Sequence, residues 1–373
     1  MASRPRWIVI LGLPLAFAVV AGVALRSVPQ ARAGAPPAAR TVIDCPPDRL
    51  DPRPAARERS TTAGTWWTRR PDLDAAGGLA GWTLTLGAPR ADTVSLVLPP
   101  GSIVTGPVDG QVVAAADDET HSWVQIIDVA GRCTRSVPVP GVIVRRAILA
   151  PDGSSLIVHL LDRSTRHDLG IWQISFDGSG RTALLPPLMD SALRDAGIDR
   201  VWSTDMRLSS DDASLAVQSC DPETCVTRVI SFASREVVVL AGEQGAMVGF
   251  TSRALVTLAA CAGLPCDVVA WDIATFRPTV VATEAISATI SGSGHLVVAT
   301  RNEGGTTSAT EIDPRSGRGR LLAKLAPGTG PLGPSAASGI EVPPGSVGLE
   351  HVGGPPSLLV IDPPVKQDTE VKP

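Results

Sequence analysis

Along most of this chain, short apolar runs rich in β-branched residues alternate with clusters of Gly, Pro, Ser and Asp, a pattern that predicts strands separated by turns. Ser-Leu-Ala-Val-Gln around Leu215, Ala-Leu-Val-Thr-Leu around Leu255 and Gly-His-Leu-Val-Val around Leu296 occupy corresponding places, 40 and 41 residues apart. Leu156, in Ser-Ser-Leu-Ile-Val-His-Leu, precedes Leu215 by 59 residues, and the surplus predicts an insertion at about 185–205. A second landmark is an apolar strand that ends in a turn. Trp123 to Arg132 (WVQIIDVAGR) and Trp172 to Arg181 (WQISFDGSGR) share Trp, Asp, Gly and Arg at one offset of 49, and Ile312 to Arg318 (IDPRSGR) repeats the turn. Asp suits such a turn because its carboxylate accepts from the backbone two residues on, and Gly because it tolerates the left-handed conformation. Trp271 takes the strand position of Trp172 in a further copy. These tryptophans are expected to pack between neighbouring repeats.

Self-similarity at 40 to 50 residues marks stacked four-stranded units. The expected fold class is therefore all-β, a β-propeller of about six four-stranded blades, with five or seven as alternatives. Strand groups fall near 101–143, 144–200, 201–241, 242–283 and 284–327, with a last near 335–362. The last is expected to be completed by the strand around Trp82 to Leu86, closing the ring and removing its open edges.

The stretch Ala150-Pro151-Asp152-Gly153, a strand at Leu156 to Leu160, then Ile171-Trp172 and Asp177-Gly178 resembles the repeat of the TolB-like and WD-repeat-like β-propellers. Ser209 to Asp212 and Ser291 to Gly294 are weaker copies of its first turn. The resemblance, clearest in residues 150–181, implies the fold and no single activity, because propellers host hydrolases, lyases, redox enzymes and binding platforms.

One segment breaks the pattern. Trp7 to Leu25 is a 19-residue uncharged run flanked by Arg4, Arg6 and Arg26. As a helix it would span about 28 Å, close to a bilayer's hydrocarbon thickness. Two readings stay open for residues 1–27: a single membrane span with the body outside, or a signal peptide cleaved near Ala33, where Ala31-Arg32-Ala33 has the small-x-small form. Both make the body extracytoplasmic, and the first makes the membrane a partner. Residues 28–64, rich in Pro, Ala and Arg, read as a linker, 65–362 as the propeller and 363–373 as a disordered tail.

Six cysteines in an exported chain predict disulfides. Cys220 and Cys225 enclose Asp-Pro-Glu-Thr, and Cys261 and Cys266 enclose Ala-Gly-Leu-Pro, each member displaced by 41 from its counterpart. Two local bridges are expected, leaving Cys45 to pair with Cys133 by elimination. A four-cysteine metal site is the competing reading, and the oxidising compartment favours bridges.

Charge and motifs narrow the function without fixing it. The chain has 33 Lys+Arg against 37 Asp+Glu; without residues 1–33, which hold four arginines, 29 remain against 37, or −8. Binding to nucleic-acid phosphates is thereby disfavoured. No Gly-x-Ser-x-Gly elbow is present for a serine nucleophile. Gly328-Thr329-Gly330-Pro331-Leu332-Gly333 has the letters of a dinucleotide fingerprint without its strand-turn-helix context, so no cofactor is expected. His159 is expected at an exposed or inter-blade strand position. His167, His295 and His351 fall in turns or Pro/Gly-rich stretches, and no histidines are paired at metal spacing. Asp117-Asp118-Glu119-Thr120-His121 offers donors to a cation but fits a hairpin tip between strands at Val112 and Trp123. In the insertion, Met189 to Ala196 predicts a short helix capped by Asp190 or Ser191, forming a lid or a partner-contact loop. The expected function is a non-catalytic binding platform at the cell envelope for another protein or a surface ligand, with no catalytic or metal residue assigned. An enzyme with its site at the channel mouth and a structural subunit of an envelope complex are the alternatives. Converging His, Asp and Glu at the mouth would mark the enzyme.

Overall fold

The computed structural model describes residues 64–361 apart from 90, 92, 118–120, 131–132, 188–202, 221–224, 241–244, 260, 262–264, 303–304, 334–337 and 352–354. The hydrophobic N-terminal segment, Cys45, most of the insertion and the C-terminal tail lie outside these residues. No helix among the described residues is long and apolar enough to cross a membrane.

The regular elements are antiparallel β-strands. The N-terminal sheet contains β1 (Trp66–Leu73), β2 (Leu79–Gly87) and β3 (Val94–Leu98). Three four-stranded meanders follow: β4 (Ile103–Val108) to β7 (Cys133–Val139) through β5 (Gln111–Asp117) and β6 (Ser122–Asp128); β8 (Val142–Leu149) to β11 (Arg181–Leu185) through β9 (Ser155–Asp162) and β10 (Asp168–Ser175); and β12 (Ser203–Leu208) to β15 (Val237–Val239) through β13 (Ser214–Cys220) and β14 (Cys225–Ser231). A seven-stranded sheet comes next: β16 (Met247–Phe250), β17 (Ala254–Ala259), β18 (Cys266–Asp272), β19 (Pro278–Ile290), β20 (Leu296–Arg301), β21 (Thr307–Ile312) and β22 (Gly319–Leu325). Its long β19 serves two partners, pairing with β18 up to Ala285 and with β20 from Ala285 to Ile290. Between the halves Glu284 has a φ of 56°, a left-handed kink that is costly for a non-glycine residue. The sheet is therefore two four-strand arrays joined through one bent strand.

The remaining strands are β23 (Thr329–Pro331), β24 (Ser338–Ile340), β25 (Ser346–His351) and β26 (Ser357–Val360), of which β23, β25 and β26 form a three-stranded sheet. The described residues thus form six sheets, five with at least four strands, in the arrangement of a β-propeller. Five of these sheets have the four or more strands of a full blade, which matches the alternative of five and not the expected six.

Ring closure differs from the expectation. Trp82–Leu86 does not complete a C-terminal blade; it lies in β2, within a sheet whose first three strands are all N-terminal. The C-terminal strand β24 crosses to that sheet and pairs with β1, Trp66 opposite Ile340 and Thr68 opposite Ser338. Trp67 explains the preference. Its indole N–H donates to the Gly106 carbonyl of β4 at 2.9 Å, and a Cβ on Gly339 would stand 2.7 Å from that same oxygen. Only glycine lets β24 lie over this junction.

The core lies between sheets. Leu156, Val158 and Leu160 of β9 join Val113, Val124 and Val137 of the preceding sheet, whereas Ile157 joins Met206, Leu215 and Val217 of the next. Alternation along one strand therefore serves two interfaces, and β9 is buried over seven consecutive residues. Each such side chain contributes about 1.5–3 kcal/mol of hydrophobic burial. As expected from the repeat, Trp123, Trp172 and Trp271 pack at such junctions.

Candidate functional site

The inner strands enclose a central cavity of about 640 Å³, inside the range of about 300–1,000 Å³ typical of small-molecule sites. Trp67, Val248, Phe250, Ile290 and Leu332 give it apolar wall, and four arginines give it charge: Arg69 on β1, Arg145 and Arg146 on β8, and Arg207 on β12. None of the described lining residues is His, Asp, Glu, Lys or Cys.

The two consecutive arginines reach one cavity because β8 is irregular. Val144 pairs with Leu160, but the next pair is Arg146 with His159, so Arg145 is an extra residue in the ladder. A bulge of this kind re-aims a side chain that strict alternation would send to the opposite face. The signal was present in the sequence: Val-Ile-Val-Arg-Arg-Ala-Ile-Leu places two charges inside a strand that otherwise reads as buried.

One carboxylate stands among these cations. Asp205 Oδ1 accepts from Arg146 Nη2 at 2.8 Å, and its Oδ2 lies 3.0 Å from Arg207 Nη2. Burial lowers the Arg146 pKa to about 10, Asp205 opposes that change, and the neighbouring charges of Arg207 and Arg69 add to it. Burial also lowers Arg69, which sits 4.6 Å over the Trp82 ring, and Arg145. The buried Nε atoms of Arg69, Arg146 and Arg207, and the Ser338 hydroxyl on the same wall, have no hydrogen-bond partner among the described residues.

The polar residues singled out in the sequence lie elsewhere. His159 is fully buried between the third and fourth sheets, the inter-blade position expected for it. Its Nε2 is 3.0 Å from Asp168 Oδ1 and its Nδ1 is 2.7 Å from Thr204 Oγ1. Arg228 extends the cluster, with Nη2 3.9 Å from Asp168 Oδ2 and Nη1 donating to the Pro186 carbonyl at 3.1 Å. Hydroxyl, imidazole and carboxylate follow the order of a nucleophile, base and orienting acid. The three side chains are buried and bridge two sheets, which makes the series a tie across the interface. Asp117 ends β5 and pairs with Arg163 at 2.7 Å while accepting from Ser122, as a hairpin end would; residues 118–120 lie outside the described residues. His295 pairs with Glu311, which also holds Arg320 at 2.6 Å, beside a second cavity of about 460 Å³. His351 bridges Thr329 and Ser357 within the last sheet, and His167 is exposed in a turn. Thr329 to Gly333 is a short strand and its exit, and the next described residues, Ser338–Ile340, are again a strand.

Cys220 bonds to Cys225 and Cys261 to Cys266, closing the loops between second and third strands of successive arrays. Oxidised sulfurs at these positions replace the four-cysteine metal reading. Cys133 is disulfide-bonded, and Cys45, its expected partner, lies outside the described residues.

No family model matches the chain, and no curated protein matches it by sequence. Among solved structures it is similar to TolB from Acinetobacter baumannii, at 13% identity over 75% of this chain and 67% of that one with a TM-score of 0.46. It is also similar to a prolyl endopeptidase, at 15% identity over 82% and 50% with a TM-score of 0.49, and to oligogalacturonate lyase in complex with manganese, at 11% over 71% and 75% with a TM-score of 0.44. The chain spans about half the length of that endopeptidase. TolB-like propellers are thus among the structures the chain resembles.

Proposed function

We propose that this protein is an exported β-propeller that acts as a binding platform at the cell envelope, receiving its ligand, a surface molecule or a segment of another protein, in the central channel. The observation that carries this reading is the channel wall itself. Four arginines and an apolar lining offer recognition of a ligand. Two loop disulfides support a compartment outside the cytosol. The uncharged run Trp7–Leu25 supports delivery there, either as a retained membrane span or as a signal removed near Ala33.

The test is site-specific photocrosslinking in the native host. A crosslinking residue at Thr289, on the channel wall, is expected to capture a ligand, and one at Val97, exposed on the outer strand β3, is not. Capture from Val97 alone would contradict the channel as the site.

A further inference from the structure

We propose that the central channel binds a small, multiply charged oxyanion, held by Arg69, Arg146 and Arg207, which the ligand shares with the internal carboxylate of Asp205. The inference rests on the channel being the ligand site and adds the chemical class of the ligand.

Arg146 and Arg207 share the single carboxylate of Asp205, and Arg69 lines the same cavity, so these three cations face one anion. Like charges gathered away from water repel one another, and an incoming anion relieves that repulsion. Burial first, and then the charges of Arg207 and Arg69, disfavour the charged form of Arg146. Geometry then selects the kind of anion. A guanidinium is a planar fork of donors that matches two oxygens of one carboxylate or phosphate group. Asp205 engages Arg146 and Arg207 through single nitrogen atoms, and the Nε donors of all three arginines remain unpartnered among the described residues. Size sets the upper limit, because about 640 Å³ admits a small molecule and excludes a folded domain.

Asp205 gives the proposal a signature that a structural salt bridge would lack. It competes with the ligand for Arg146 and Arg207, so removing its charge should strengthen binding, whereas removing an arginine should weaken it.

The experiment is isothermal titration of the full-length protein in detergent with tripolyphosphate, citrate, inorganic phosphate and acetate. Tripolyphosphate and citrate are expected to bind one per chain, with affinity falling steeply with charge through phosphate to acetate and falling as salt is raised. Arg69→Gln and Arg207→Gln should each weaken the tightest probe about ten-fold or more. Asp205→Asn should tighten it several-fold. If Asp205→Asn does not fold, as judged by melting, the two arginine variants decide the matter. Absence of binding by all four probes, or binding unchanged in both arginine variants, would overturn the proposal. Crosslinking of a ligand from Thr289 alongside such a failure would overturn the anion assignment and leave the platform standing. Tight oxyanion binding that Asp205→Asn weakens as much as the arginine variants do would also overturn it, since Asp205 would then be a supporting group and not a competitor.

Discussion

Thr204, His159, Asp168 and Arg228 show how polar side chains can hold two sheets together in a protein whose interfaces are otherwise apolar. Each is buried, so each must find its partner inside the protein or lose hydrogen bonds to water without compensation. Thr204→Val keeps the volume and removes the hydroxyl that faces His159 Nδ1; urea unfolding should show a loss of about 1–3 kcal/mol. An unchanged midpoint would mean the contact is dispensable. The turn aspartates act differently. Hydrogen bonds from Ser175 and then from Ser179 hold Asp177 down at about 2, and the Asp162 carboxyl is lowered by Ser164 and Thr165 in the same way. A carboxyl whose folded pKa lies below its unfolded value of about 3.9 contributes stability that is present above pH 4 and lost as pH falls toward 2. The melting temperature should therefore be level from about pH 7 to 5 and fall below about pH 4, and Asp177→Ala should flatten part of that fall. These turns were legible in the sequence because Asp-Gly chemistry is local. The channel arginines were not assembled there, because Arg69, Arg145, Arg146 and Arg207 come from three strands of three sheets and only the ring brings them together.

At the level of strands and loops, the 41-residue displacement of the cysteine pairs is matched by two successive arrays that carry the same bridged loop. Each bridge spans a sequence separation of five. So short a loop removes only about 2 kcal/mol of unfolded-state entropy, against nearly 5 kcal/mol for one of about 100 residues. Replacing Cys220 and Cys225 with serine should therefore lower the melting temperature only modestly, as read by calorimetry, and a collapse of the fold would contradict this account. The bulge in β8 was harder to see. Two arginines in an apolar strand look like an interruption of the pattern, and only the register against β9 reveals that the extra residue turns Arg145 toward the channel beside Arg146. The bent β19 was hidden for a similar reason, since periodicity predicts separate repeats and does not show that one strand can serve two of them.

For the whole molecule, the repeat established the class of fold and left the closure open. Periodicity is a property of the middle of the chain, whereas closure depends on its two ends meeting at a specific junction. Here β24 docks on β1 through Trp66 and Trp67, where Gly339 leaves room for the backbone. A chain ended after Leu325 loses β23 to β26 and exposes the edge of β1. It should lose the single cooperative unfolding transition of the closed ring, as followed by tryptophan fluorescence in urea. A transition as sharp as that of the intact protein would show that closure is not needed for the fold. Closure also completes the channel, because β24 contributes Ser338 and Gly339 to the lining of the cavity that holds the arginines of β8 and β12. If the protein binds in this arginine-lined channel, a crystal soaked with selenate and phased on the selenium signal will show an anomalous peak among the guanidinium groups of Arg69, Arg146 and Arg207; peaks confined to the outer surface, with none in the channel, would rule that out.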